Sequence, residues 1–585
     1  MELADGQRGR EAGPRRSPFD LIMNQIRRKR PGSDKKGSGR FLSRQSDGGG
    51  IPEDRETEER EEKQKGEGTD PAESVETLYD GGWGRVCVFV QRLGKRPDSR
   101  SLSLAHCDLT ATDTLELGTL LPCLPQLEEM DLSWNELIGG SLRALTSHLL
   151  HVGGLRTLKL CSCRLNADDI SALGGTLEHV PLLEVLDLSW NVGIGGGTLE
   201  GLLGKFRPTL KELHLVACQL TAADASTLGR IISGLPKLCV LDISCNPLLA
   251  EAEEGGAEEG GPGGIGMGDL VPFLSHCPSL TTLRLHSCGL TPNTINIFGG
   301  SLRYLPSLRE LDLSCNKKLS GGLTLLAPHL THLPHLESLS LHLCYLTHTD
   351  LASLIQVLPS LSELTKLDVS SNKEAGGVVQ PLVSALPLLQ MRQLPLNSCS
   401  LTEDSFTALA LAIPHLRHVD VSWCKVAGGR LALLLEALQP GVLQELHLSS
   451  CDLTTDDLLQ LGVVCKHGCL SSVRVLDLSY NGGVGPEGWV GLFGAGGLGS
   501  LEDVDLSLRP LTSACSAAWL PSLLSALPRL PALVRLGMQR WTLTNQGRDQ
   551  LNHALRKRAV LLEWDTPIST PSPNQDRLDE MQSEE

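Results

Sequence analysis

The chain has 585 residues and a formal net charge of −17. Nucleic acid is not expected as a partner, because an acidic chain lacks the cationic surface that binds phosphates. Aromatic residues make up 3% of the chain against 41% hydrophobic residues, which predicts a core of Leu, Val and Ala in thin layers without large aromatic clusters. The sequence starts without an apolar leader and has no run of 18 apolar residues, so we expect neither a signal peptide nor a transmembrane segment.

Residues 1–85 differ from the rest of the chain. They are rich in charge, Gly, Ser and Pro and poor in Leu, which predicts a disordered tail that is basic first and acidic afterwards. Its basic segment 27–44 is a candidate nuclear address or contact with anionic lipid, and a simply solvated tail is the alternative.

Residues 86–550 are predicted to form a solenoid, because two strings alternate along them at a fixed interval. From the Cys of one string to the Asn of the other is 28 residues in the first five pairs. The first string, L-x-L-x-x-C-x-L-T-x-x-D, places its Cys at Cys107, Cys163, Cys218, Cys288, Cys344, Cys399 and Cys451. The second, L-D-L-S-x-N, places its Asn at Asn135, Asn191, Asn246, Asn316, Asn372 and Asn481, with Cys424 at a seventh position.

Each string predicts a strand followed by a helix. The alternate Leu residues of L-x-L point inward from a short strand, after which a buried Asn can bond backbone and a Cys can fill space as a small apolar group. The pattern T-x-x-D predicts a helix N-cap with a capping box, at Thr110–Asp113, Thr221–Asp224, Thr347–Asp350 and Thr454–Asp457. Glycine pairs that recur after the second strand are expected to serve the backbone through positive φ or close approach, not to hold phosphate.

One interval is longer than the others because of the acidic Gly-rich segment 251–268. We expect it to form a flexible loop that leaves one turn without breaking the solenoid. The segment 551–585 is predicted to be an acidic C-terminal tail.

The alternation of these two strings resembles the ribonuclease-inhibitor class of leucine-rich repeat proteins. The resemblance implies an α/β fold, a curved leucine-rich repeat solenoid shaped as a horseshoe with a parallel inner sheet and outer helices. It also implies a protein-binding scaffold, without specifying the ligand. Neighbouring motif cysteines would lie about 10 Å apart, beyond disulfide reach, so we expect reduced thiols and a cytoplasmic protein, with the nucleus possible through the basic tail.

A row of carboxylates is predicted on the concave face, one from each L-D-L strand. Two hypotheses apply: the row is a signature of the repeat, or it attracts a ligand, which would then be a protein with a basic surface. Its members are Asp131, Asp187, Asp242, Asp312, Asp368, Asp420 and Asp477, with Asp505 in a degenerate closing copy.

The residue before the motif Asn or its substitute is aromatic near the two ends of the repeats and small in between. Exposed Trp and Tyr are typical of binding hot spots, which favours a partner held at two places. The alternative is that each ring packs flat on the neighbouring turn. The residues concerned are Trp134, Trp190, Trp423 and Tyr480.

The sequence predicts no enzyme, since it shows no catalytic residues, no metal ligands at zinc-finger spacing and no cofactor motif. The string "GLLGKF" at 201–206 lacks the Ser or Thr of a P-loop. The function expected is therefore a non-enzymatic scaffold or adaptor that binds protein on its concave face. Alternatives are an inhibitor that occludes a basic enzyme, and a GTPase-activating protein.

Overall fold

The computed structural model describes residues 99–250, 266–510, 515–556 and 558–565. These all belong to one compact unit, 79–585. The predicted tail 1–85, most of the predicted loop 251–268 and residues 566–585 lie outside the described residues.

The described part of the chain is a curved α/β leucine-rich repeat solenoid, as the sequence predicts. Its strands are parallel and follow one another in chain order, β1 to β10 in one stretch and β11, β12, β13, β14, β16 and β18 in the next, while β15 and β17 pair separately. The strands are β1 Ser101–Ser103, β2 Glu129–Asp131, β3 Thr157–Lys159, β4 Val185–Asp187, β5 Glu212–His214, β6 Val240–Asp242, β7 Thr282–Arg284, β8 Glu310–Asp312, β9 Ser338–Ser340, β10 Lys366–Asp368, β11 His418–Asp420, β12 Glu445–His447, β13 Val475–Asp477, β14 Asp503–Asp505, β15 Cys515–Ser516, β16 Arg535–Gly537, β17 Trp541–Thr542 and β18 Leu561–Glu563.

The connections between strands carry α-helices, which pack on one another along the outside, with short 3-10 helices among them. Within the described residues the α-helices are α1 Ala111–Leu120, α2 Leu142–Thr146, α3 Ala167–Thr176, α4 Ala222–Ser233, α5 Met267–Leu274, α6 Pro292–Gly299, α7 Leu323–Leu330, α8 His348–Val357, α9 Val379–Ala385, α10 Glu403–Leu409, α11 Ala432–Leu435, α12 Thr455–Lys466, α13 Pro486–Ala495, α14 Leu520–Ala526 and α15 Asn545–Arg556.

Each motif Asn links its turn to the preceding one through hydrogen bonds, as predicted. The buried Asn191 accepts the backbone N–H groups of Cys163 and Leu165, both at 3.0 Å, through Oδ1. Its Nδ2 donates to the carbonyls of Leu160 at 2.9 Å and Leu188 at 2.8 Å. Four backbone groups of the loop after the strand, which have no ladder partner, are thereby satisfied.

The capping boxes are confirmed, and their acidic residue does more than cap. Asp169 caps α3 with Asn166, and its Oδ2 also accepts the N–H of Gly140 in the preceding turn at 2.6 Å. The glycine pair there is required by geometry: a Cβ on Gly139 would lie 2.1 Å from the carbonyl oxygen of Arg164, and Gly140 has a φ of +79°. The pair therefore serves the backbone, as expected from its recurrence.

One predicted strand is reduced to a single bridging residue. Between β10 and β11, Gln393 bridges Lys366 on one side and His418 on the other. The string there is "QLPLNS", and Pro395 has no N–H to donate to a ladder, which is why the strand does not extend.

The closing repeats contradict the expectation of a core without large aromatic clusters. Trp519 lies 5.4 Å, centroid to centroid, from Trp489, 5.0 Å from Trp541 and 5.7 Å from Phe493. These four residues form a closing tryptophan cluster, in which Trp489 and Trp519 are buried. The rings come from successive turns near the C-terminal end of the described solenoid, where they pack on one another.

The expected solenoid boundary at 550 falls inside α15, Asn545–Arg556, and strand β18 follows that helix. The parallel sheet therefore extends past the boundary that the sequence indicates. None of the helices in the described ranges is long and apolar enough to cross a membrane.

A candidate protein-binding face

The uncovered face of the parallel sheet, here called the concave face, presents two residues from each strand. The middle residue of a strand is a buried apolar side chain, and the first and third are more accessible. The strand register aligns the third residues in one row across the sheet. In the first stretch the row reads Ser103, Asp131, Lys159, Asp187, His214, Asp242, Arg284, Asp312, Ser340 and Asp368, and the second stretch adds Asp420, His447, Asp477 and Asp505.

The aspartates of this row have a structural role within their own turns. In each, Oδ1 accepts the backbone N–H of the Ser two residues later, which closes the strand end, at 3.0 Å for Asp131 and 2.9 Å for Asp187. All are half-buried except Asp242, which is buried. The same bond is made by Asp242, Asp312, Asp368, Asp420, Asp477 and Asp505.

Two arginines meet some of these carboxylates. Arg284 lies 3.6 Å from Oδ2 of Asp242 and donates to Glu310 at 2.8 Å. Arg535 donates to Asp503 at 2.7 Å and to Asp505 and Glu563 at 2.8 Å each, and these carboxylates hold its pKa far above the ordinary value against the effect of burial. The acidic row is thus partly neutralised at these two points.

The predicted aromatic residues share a strained backbone conformation. Trp134, Trp190 and Trp423 have a φ of 64° and Tyr480 has a φ of 62°, the left-handed region that side chains with a Cβ rarely adopt. The same position is left-handed in turns where it is Cys or Ser, such as Cys245. The turn therefore requires this conformation whatever the side chain, and an aromatic residue there is not explained by the backbone.

The two ends of the concave face use their aromatic residues differently. Trp134 stacks on His106 of the preceding turn, with centroids 5.4 Å apart and planes at 11°, as in the alternative that each ring packs flat on its neighbour. Trp423 does not pack flat: it is 55% exposed and meets the edge of Tyr480 at 6.3 Å and 60°. Trp190 is half-buried at the end of β4.

Arg509, which is not among the predicted site residues, completes the arrangement around Trp423 and Tyr480. The guanidinium of Arg509 lies 5.8 Å from the centre of the Trp423 ring and donates to the hydroxyl of Ser450, which sits between the two rings in chain order. Arg509 takes the place of the motif Asn in "LSLRP", and that departure from the motif was its signal. Trp423, Tyr480 and Arg509 are called the aromatic cluster below.

Two three-strand regions of the concave face carry nearly the same side chains. In the β4–β6 region and in the β11–β13 region, the aligned outward positions agree at five of six places. The sixth is Val185 in the first region and His418 in the second. The shared residues are Asp187, Glu212, His214, Val240 and Asp242 in the first, and Asp420, Glu445, His447, Val475 and Asp477 in the second.

That single difference brings three donor groups together in the second region. His418, Glu445 and His447 each offer a ligand atom, and these atoms lie within 4.8 Å of one another. The expectation of no metal ligands rested on spacing along the chain. The residues that meet here come from neighbouring strands, so only the register of β11 and β12 reveals them.

The buried motif cysteines are thiols unsuited to nucleophilic or metal chemistry. The seven of the first string are free thiols, six of them buried and Cys107 exposed. Burial raises the pKa of Cys163 to about 12, and its Sγ contacts the carbonyl of Leu132 at 3.3 Å. Outside the motif, burial likewise raises the pKa of Cys465 to about 12. A protonated, buried thiol is neither a good nucleophile nor a ready metal ligand.

Comparisons with known proteins agree with this architecture. A family model described as Leucine Rich repeat matches residues 304–321 and 469–493. The ribonuclease inhibitor of Sus scrofa is 31% identical over 448 residues, 74% of this chain and 92% of that protein. The ribonuclease inhibitor of Mus musculus is 31% identical over 63% of this chain and 80% of that protein. NACHT, LRR and PYD domains-containing protein 12 of Homo sapiens is 32% identical over 44% of this chain, but over only 24% of its own length.

The repeats, the inner parallel sheet and the outward polar rows define a leucine-rich repeat scaffold of the protein-binding class. With 31% identity over nearly the whole of a ribonuclease inhibitor, the chain belongs to the ribonuclease inhibitor family of leucine-rich repeat proteins.

Proposed function

We propose that the chain is a non-enzymatic adaptor that binds a protein partner on its concave face, with the aromatic cluster as the main anchor. The observation that carries this proposal is Trp423, more than half exposed in a conformation the turn would impose on any residue. A large exposed ring with an Arg over it and a Tyr at its edge is the composition of a binding hot spot. Trp134 and Trp190 provide a secondary contact.

The partner would have a basic surface. The strands beside the aromatic cluster carry Asp420, Glu445, Asp477 and Asp503 on the concave side, and the whole chain has a net charge of −17. Opposite charges at such a face raise the association rate more than the affinity, so binding should weaken at higher salt through a slower on-rate. Reduced thiols at the motif cysteines favour the cytoplasm as the place of action.

Within the family, the combination of "LSWN" followed by a glycine pair and the closing "SLRP" resembles leucine-rich repeat-containing protein 31. This resemblance supports the adaptor over an inhibitor.

A quantitative affinity capture from cell lysate tests the adaptor proposal. The bait proteins are the wild type, Trp423→Ser/Tyr480→Ser, and the matched control Trp134→Ser/Trp190→Ser, after circular dichroism has shown that all three fold. We expect a partner enriched by the wild type to be lost from the first variant and largely kept by the second. Identical captured sets for all three baits would contradict the proposal.

The second candidate function is inhibition of a basic enzyme by occlusion, favoured by the match to 92% of a ribonuclease inhibitor. A ribonuclease assay with a basic pancreatic-type enzyme distinguishes the two. The inhibitor hypothesis requires stoichiometric loss of ribonuclease activity, whereas the adaptor proposal expects full activity at a large excess of this protein.

A further inference from the structure

Three side chains from the neighbouring strands β11 and β12 converge on the concave face. His418 and Glu445 are direct partners in the register, and the Glu445 Oε2 lies 2.8 Å from the His418 Nδ1. The Nε2 of His447 lies 3.6 Å from the same carboxylate oxygen. The two imidazole rings are 5.0 Å apart, centroid to centroid. Two imidazoles therefore flank one carboxylate, with all three on a single face.

One atom of this group lacks a suitable partner. The Nε2 of His447 is buried and has no hydrogen bond, although it faces the carboxylate of Glu445. Buried polar atoms in folded proteins are nearly always hydrogen-bonded, so an orphan of this kind calls for a ligand. The other ring nitrogen, Nδ1, faces Oδ2 of Asp477 at 4.0 Å. A carboxylate on the far side of the ring is what metal-bound histidines commonly have.

We propose that His418, Glu445 and His447 form a binding site for a divalent transition-metal ion, with Zn²⁺ as the best match. Two imidazoles and one carboxylate are a donor set that Zn²⁺ takes in proteins. Asp477 would orient His447 from outside the coordination sphere. The fourth position of a tetrahedral ion would be left to water or to a side chain of a bound partner.

The local charge suits a dication. The carboxylate of Glu445 lies 3.6 Å from Nε2 of His447, and that of Asp477 lies 4.0 Å from its Nδ1. These negative charges favour a doubly charged ion at this point of the face.

The β4–β6 region supplies an internal control. It has Glu212 and His214 in the same register, with the His214 Nε2 3.3 Å from the Glu212 Oε2, and His214 is as accessible as His447, at 20% against 22%. Val185 stands where His418 stands in the other region. With two donors instead of three, the β4–β6 region is not expected to hold the ion.

Cobalt(II) spectroscopy on the full-length protein, stripped of metal and kept reduced with a phosphine, tests the site. Tetrahedral Co²⁺ with nitrogen and oxygen ligands gives visible d–d bands without the ultraviolet charge-transfer band of a thiolate complex, so cysteine binding is recognised separately. We compare the wild type with His418→Val, His447→Gln and the control His214→Gln. Zn²⁺ titration calorimetry on the same proteins gives stoichiometry and affinity.

We expect d–d bands and one equivalent of Zn²⁺ in the wild type and His214→Gln, and affinity lower by more than about 100-fold in His418→Val and His447→Gln. Equal spectra and affinities in all four proteins, or a thiolate spectrum alone, would overturn the proposal. If His418→Val or His447→Gln fails to fold, the variant Val185→His tests the proposal instead, because it places a third donor in the β4–β6 region. An added equivalent of bound ion supports the three-donor geometry, and no added equivalent contradicts it. None of these readouts depends on the proposed partner.

Discussion

The β4–β6 and β11–β13 regions carry nearly the same outward residues and differ in which donor groups they bring together. In the first, Val185 leaves Glu212 and His214 as an isolated pair, while in the second His418 adds a third donor. The aromatic position shows the same divergence, because Tyr480 follows β13 where Cys245 follows β6. A repeat protein thus keeps its backbone constant, while single substitutions at outward positions that the turn does not constrain change which side chains meet on the face.

The largest expected effect is a difference in stability between variants at the residue that follows each tryptophan. Asn191 follows Trp190 and satisfies four backbone groups, whereas Cys424 follows Trp423 and contacts the carbonyl of Leu396 at 3.5 Å. We expect Asn191→Ala to lower the free energy of unfolding by about 3 kcal/mol or more, since it strands buried N–H groups, and Cys424→Ala to lower it by only about 1 kcal/mol. Urea unfolding followed by circular dichroism measures both, and equal losses would contradict the asymmetry.

A smaller effect should be the same in both regions. Asp224 accepts the N–H groups of Gly196 at 2.9 Å and Gly197 at 2.7 Å, and Asp457 accepts that of Gly429 at 2.7 Å. Each variant, Asp224→Asn and Asp457→Asn, should cost about 2 kcal/mol, because an amide nitrogen would face backbone donors in place of a charged oxygen. Thermal unfolding of the two variants checks this. A difference well above 1 kcal/mol between them would mean that the turns are not equivalent.

The smallest expected effect tests the contact between Arg509 and Trp423 in the aromatic cluster. Arg509→Leu removes the guanidinium over Trp423 and its bond to Ser450, which should cost about 1 kcal/mol and leave the fold intact. The contact is read by the near-ultraviolet circular dichroism of the tryptophans, with Arg303→Leu, beside Tyr304, as a control at a distant site. An unchanged spectrum together with unchanged stability would argue against a defined position of the Arg509 side chain.

Much of this fold could be predicted from the sequence because the same short sequence patterns recur in each turn. The Asn of L-D-L-S-x-N, the Thr–Asp capping box and the glycine pair each act within one or two turns, so local patterns are sufficient to identify them. The second role of Asp169, accepting Gly140 of the preceding turn, was not predicted, because a capping residue explains its own helix without reference to a neighbour.

The candidate site was predictable only in part, and for a physical reason. The aromatic residues follow from their position in the motif, but whether a ring stacks on a neighbour, as Trp134 does, depends on what the adjacent turn presents. The meeting of His418 with Glu445 and His447 needs the register of two strands 27 residues apart. The closing tryptophan cluster was missed because overall composition hides residues that are concentrated at one end.

The most direct test of the central claim, that the concave face binds through the aromatic cluster, is the dissociation constant of the captured partner, purified and measured by calorimetry. We expect Trp423→Ser/Tyr480→Ser to weaken binding by about 30-fold or more, as for a hot spot, and Trp134→Ser/Trp190→Ser by less than about threefold. Equal affinities for the wild type and the first variant, or a larger loss in the second, would contradict it.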